Sequence, residues 1–156
     1  MKHITTAEAY IYGSPSYPQI KGYAVFTETE QGTAVSAAFY GLPVPKEPCK
    51  QEVFALHIHE GASCSGNSDD SFADAKSHYN PHLCPHPFHA GDLPPIFAAG
   101  NTAASAVLTD RFTPSEIIGR TIILHRMPDD LHSQPSGNAG EKIACGIIRA
   151  AVPKKQ

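Results

Sequence analysis

Alternation of apolar and polar residues with a period of two, broken at intervals by Gly and Pro, is the strongest constraint this chain carries. Residues 7–13 (AEAYIYG), 21–28 (KGYAVFTE) and 33–40 (TAVSAAFY) each set every second side chain on one apolar face. That pattern belongs to strands with one buried and one wet face. Ser14-Pro15, Gln31-Gly32 and Gly41-Leu42-Pro43 separate them as turns. Residues 53–60 (VFALHIHE), 103–109, 119–126 (GRTIILHR) and 142–150 also read as strands. The count comes to about eight, with no amphipathic helical pattern and no internal repeat. The expected fold is all-β: an eight-stranded antiparallel Greek-key flattened barrel or immunoglobulin-like sandwich, spanning residues 1–156 as a single domain.

An irregular stretch from Gly61 to Pro95 interrupts this regularity. A loop of such length without structure of its own marks function more readily than architecture. It carries His78, His82, His86, His89 and Asp92, part of a chain with nine histidines. Just before it lies His57-Ile58-His59. Residues i and i+2 of a strand share a face, so both imidazoles project together while Phe54, Leu56 and Ile58 take the core parity. His125 ends the segment 121–125, where Ile122 and Leu124 have core parity and His125 the other. Imidazoles with a carboxylate suit zinc, and metal binding would offset the entropy of ordering the loop. Spacing alone leaves a second reading open: a His-rich surface loop that takes up metals adventitiously.

The rest of the sequence excludes more than it specifies. A formal net charge of −3 leaves no basic footprint, so no nucleic-acid partner is expected. No run of 18 apolar residues exists, so no membrane span is expected. Met1 to Tyr10 lack the apolar core of a signal peptide and lie close to the first strand, so a cytoplasmic protein is expected unless a leader was trimmed. Cys49, Cys64, Cys84 and Cys145 form no C-x-x-C pair, which argues against a zinc knuckle or a thioredoxin-like motif.

The segments ALHIHE, SHYNP, FHAGDL, IIGRTIILH, DDL and GNAGEKIACGII stand in the order in which they occur in copper–zinc superoxide dismutases. The chain resembles that family from about Glu8 to Ala150. The resemblance implies copper on His57, His59, His78 and His125, and zinc on His78, His86, His89 and Asp92. His78 would bridge the two metals and relay the proton. Asp129 would link the copper ligand His57 to the zinc ligand His86. Superoxide is the implied substrate, and a homodimer the family's usual state.

Cys64 and Cys145 match the family's intrasubunit disulfide, which would close a loop of about 80 residues and stabilise by roughly 4 to 5 kcal/mol. Cys49 and Cys84 have no counterparts; they either pair with each other or remain two separate thiols. Lys142 departs from the pattern, because the family has Arg there to guide and dock the anion. Lys keeps the charge but loses the planar fork. The segment 126–140 is shorter than the family's electrostatic loop, so attraction of the anion is expected to rest on the metals, Lys142 and Arg126, with Ser136 lining the channel. The alternative function is a non-catalytic module of the same fold, zinc-only or copper-delivering. An intact copper set speaks for the enzyme.

Overall fold

A computed structural model describes residues 5–50 and 52–152. Ten strands appear among the described residues: β1 (Thr6–Gly13), β2 (Lys21–Thr29), β3 (Gly32–Tyr40), β4 (Val53–Phe54), β5 (Leu56–His59), β6 (Ile96–Ala99), β7 (Thr102–Thr109), β8 (Thr121–His125), β9 (Lys142–Ile147) and β10 (Arg149–Ala150). Their pairings are antiparallel throughout. The order is β4-β6-β7-β3-β2-β1-β9-β8-β5, with β10 on β1.

The two ends of that order are neighbours in the chain. Val53–Phe54 pairs with β6, and Leu56–His59 pairs with β8 at the opposite end. The stretch 53–60 is therefore two strands, not one. At Ala55 the chain leaves one edge and joins the other, its N–H donating to Met127 O and its carbonyl accepting from His125 N–H. This transfer nearly closes the sheet into a barrel, leaving little of the exposed edge that open sheets must protect.

Two further boundaries differ from the sequence reading. Ile96–Ala99 is a strand where period two was too short to register. Residues 142–150 break at Ile148, which donates to Arg120 O and leaves β10 to pair with β1.

Alternation decides what enters the core. Ala7, Ala9 and Ile11 of β1 are buried, while Tyr10 and Tyr12 are exposed. Phe26, Phe39, Phe54, Leu56, Ile58 and Ile122 pack in the same interior. Strands β5 and β8 are buried along their whole length. Their inner face meets the core, and their outer face lies under the long loop. Ile123 and Cys145 join Phe72 and Ala75 in a second, smaller cluster beneath that loop. No helix among the described residues is long and apolar enough to cross a membrane.

Candidate metal centre

The loop after β5 folds back along the free edge of that strand. Tyr79 N–H donates to Ile58 O, and Ile58 N–H donates to Gly91 O, each at 2.8 Å. His57 thereby stands opposite Asp92, and His59 opposite His78. Directly opposed residues share a face, so the loop delivers its ligands to the face that His57 and His59 already occupy. Gly91 is required at this approach: a Cβ there would collide with the Ile58 carbonyl. On the other edge of β5, His57 opposes Ile123 and His59 opposes Thr121. His125, two residues beyond Ile123, falls on the same face.

Two four-residue groups result, His57/His59/His78/His125 and His78/His86/His89/Asp92, and all their members are buried or nearly so. Within each group the candidate ligand atoms lie within 4.8 Å of one another. In the second group, Asp92 lies 2.7 Å from His78 Nδ1, 3.0 Å from His86 Nδ1 and 3.3 Å from His89 Nδ1. A tetrahedron with bonds of about 2.0 Å has edges of about 3.3 Å, so this spacing fits one zinc-sized ion.

Four of the ring nitrogens that face away from the groups are held. His57 Nε2 and His86 Nε2 each donate to Asp129, one to each carboxylate oxygen, at 2.8 Å. His59 Nδ1 donates to Lys76 O at 2.7 Å, and His125 Nδ1 to Gly140 O at 3.2 Å. Each partner selects the tautomer that leaves the other nitrogen with a free lone pair. His57 Nδ1 and His78 Nε2 are buried without a hydrogen-bond partner, and so is His86 Nδ1, whose lone pair faces the Asp92 carboxylate at 3.0 Å. Such atoms cost about 1 to 3 kcal/mol each unless something binds them, and metal ions fit that need. His59 Nε2 and His125 Nε2 meet at 3.2 Å, close enough to share one ion.

Electrostatics prepare the same outcome. Burial pushes the His59 imidazole well below its ordinary value, and burial pushes His125 down to about 3. His57 and His89 are lowered by burial too, against the pull of Asp129 and Asp92 respectively. Neutral imidazoles are the form that binds metal. Burial alone would raise the Asp129 carboxyl, but the hydrogen bonds from His57 and His86 outweigh it and hold the group at about 2. Asp129 is thus a permanent anion with two imidazoles fixed on it. Gly137, at φ +68°, leaves the space it needs: a Cβ there would strike both Asp129 and His86 Nε2.

Other expected residues lie outside the two groups. Cys64 and Cys145, 81 positions apart, form a disulfide. Cys49 and Cys84 do not pair: Cys49 is an exposed thiol, and Cys84 is free in the loop, its N–H donating to Asn80. Arg126 lies against the core side of the chain transfer at Ala55. Its guanidinium packs 5.8 Å from the Phe54 ring centroid, with Nη1 buried. His82 belongs to neither group. Ser136 is half-buried in the loop before β9. Lys142 opposes His125 across the β8–β9 ladder and pairs with Asp70 at 2.5 Å.

Two positioning residues carried no signal in the sequence. Arg111 Nη1 donates to the carbonyls of Pro87, His89 and Asp92 at 2.9, 3.2 and 3.4 Å, gathering the turn that bears the second group. Gln134 clamps His86 by its backbone, accepting from His86 N–H at 3.0 Å and donating to His86 O at 2.7 Å. Neither sits in a motif, and both act on residues about twenty positions away or more.

Comparison with known proteins agrees with this geometry. A family model described as copper/zinc superoxide dismutase matches residues 20–148. The chain is 34% identical over 146 positions to Cu-Zn superoxide dismutase 2 of Aquifex aeolicus, covering 84% of this chain and 80% of that protein. It is 31% identical over 151 positions to the Cu-Zn superoxide dismutase of Deinococcus radiodurans, covering 85% and 79%. The extracellular Cu-Zn superoxide dismutase of mouse is 30% identical over 151 positions, covering 86% of this chain and 55% of that protein. With two donor groups meeting at His78 and a family match across most of its length, the chain belongs to the copper/zinc superoxide dismutase family.

Proposed function

We propose that the protein is a superoxide dismutase, holding copper on His57, His59, His78 and His125 and zinc on His78, His86, His89 and Asp92. One observation carries this reading: His78 belongs to both groups, with Nδ1 against Asp92 and Nε2 buried and unpartnered. The all-imidazole group suits a copper ion that keeps an open position. The group with a carboxylate is closed by four protein ligands and suits zinc.

Two superoxide anions and two protons yield one dioxygen and one hydrogen peroxide, one anion being oxidised and the other reduced. When bound, copper supplies the reversible one-electron couple and zinc supplies fixed positive charge. The chain contributes proton handling and orientation. His78 Nε2 takes up a proton in the first half of the cycle and returns it to the reduced dioxygen in the second, the other proton of the peroxide coming from water. His78 Nδ1 stays with the Asp92 group, so the ring keeps its place while Nε2 changes state. Asp129 holds His57 and His86 in register with each other. Lys142 supplies the positive charge on the His125 side.

The test is metal content and turnover measured on one preparation. One copper and one zinc per chain, with rapid superoxide loss, are the expected result. Zinc alone with no turnover would instead make the chain a non-catalytic module of the same fold. Lys142 has its own expectation: Lys142→Arg keeps or raises the rate, since charge is retained and a docking fork is gained. Lys142→Gln lowers the rate severalfold at low ionic strength, and the loss shrinks as salt screens the site. An unchanged rate in Lys142→Gln would remove its role in attraction. The same reading extends to a homodimer, checked by sedimentation equilibrium.

A further inference from the structure

Lys142 is not a free cation. Its ammonium donates to Asp70 Oδ2 at 2.5 Å and to Phe72 O at 3.4 Å. The Lys142 side chain is 16% exposed and that of Asp70 39%, so the carboxylate is the more solvent-facing member. Both ends are anchored. Asp70 Oδ1 accepts from Phe72 N–H at 2.9 Å, and Asp70 N–H donates to Asn67 Oδ1 at 3.0 Å. Asp70 O also accepts from the N–H groups of Asn67 and Ala73. The turn so formed follows Cys64, whose disulfide ties it to Cys145 on β9, the strand that Lys142 begins. Exposed ion pairs usually contribute little because both chains must be ordered to form them; here the turn and the strand have already ordered them.

Position gives the pair its consequence. Lys142 stands directly opposite His125, past an irregularity at Leu124/His125 that leaves both side chains on the outer face. Through its bond to Lys142, the Asp70 carboxyl is held beside that position. Burial tends to raise that carboxyl, yet the Lys142 hydrogen bond and charge hold it below its ordinary value, so the pair is a charged one.

We propose that Asp70 tunes anion affinity at the His57/His59/His78/His125 site, by cancelling the Lys142 charge and standing on its solvent side. The inference rests on the proposed function, because it needs an anion-binding metal at that group. In this chain the cation that attracts the substrate is offset, and Asp70 acts as a brake on attraction rather than as a mere tether for Lys142. A tether and a brake predict opposite signs. Removing a tether frees Lys142 and weakens anion binding; removing a brake leaves a net positive charge and strengthens it.

The experiment is a titration of copper- and zinc-loaded protein with azide at low ionic strength, followed by visible absorption. Asp70→Asn keeps the Oδ1 acceptor for Phe72 N–H and removes only the charge. It is expected to tighten azide about fivefold, as one unopposed charge at short range does in a partly wet site. Lys142→Gln leaves Asp70 unopposed and is expected to weaken azide by about the same factor. The double variant, again neutral, returns to near the parent value, and so does Asp70→Glu, which keeps the charge. Weaker or unchanged azide binding in Asp70→Asn overturns the inference while the parent's own azide binding keeps the proposed function. A loaded parent that binds no azide overturns both.

Discussion

His125→Ala abolishes superoxide turnover while leaving zinc content unchanged. His125 belongs to one donor group only, so its loss leaves three imidazoles for copper and touches none of the four donors proposed for zinc. Loss of an outer partner such as Asp129 would cost about 10- to 100-fold; loss of a ligand on the reacting side costs more, on the order of a thousandfold or beyond. The backbone is expected to tolerate the change, because His125 N–H still donates to Ala55 O and β8 keeps its core residues Ile122 and Leu124. Turnover and metal content measured together decide the matter. Unchanged activity would refute the copper assignment. Joint loss of copper and zinc would mean that His125 holds the whole centre together rather than one side of it.

Breaking the disulfide has the largest expected effect on stability. Cys64 and Cys145 are 81 residues apart, and closing a loop of that length restricts the unfolded chain by about 4 to 5 kcal/mol. Cys64→Ala with Cys145→Ala is therefore expected to lower Tm by roughly 10 to 20 °C, read by calorimetry on the metal-free protein. Alanine is chosen because Cys145 is buried, and a serine hydroxyl there would add a separate cost. The loss has a local side as well. The turn that the disulfide holds leads to Lys76, whose carbonyl fixes the His59 tautomer, and includes Asp70. Copper affinity is expected to fall more than zinc affinity, since the zinc donors lie further along the loop and are held by Arg111 and Gln134. A Tm change of only a few degrees would show that the loop is held by packing of Phe72, Ala75 and Ile123 rather than by the bond.

Much of the fold was legible because period two is a local property. Burial on one face of β1 and β3 follows from which residues alternate, and so does the common face of His57 and His59. The donor residues were legible for a different reason: their identities sit in segments that resemble a family, in the family's order. What stayed hidden depends on pairs far apart in the chain. Residues 53–60 read as one strand because their alternation is unbroken, yet the chain passes between two sheet edges at Ala55. The availability of those edges is set by β6 and β8, not by anything nearby. Cys49 and Cys84 matched no pattern, and only the tertiary structure shows that both are free.

Lys142 marks the division most clearly. By itself the sequence determined that a cation replaces the family's arginine beside the His125 strand, because residue type and strand position are written locally. The partner of that cation, Asp70, is 72 residues away, in a turn that only the disulfide and the closed barrel bring to β9. Its charge could be weighed only after folding, since Coulomb energy depends on distance in space and not along the chain.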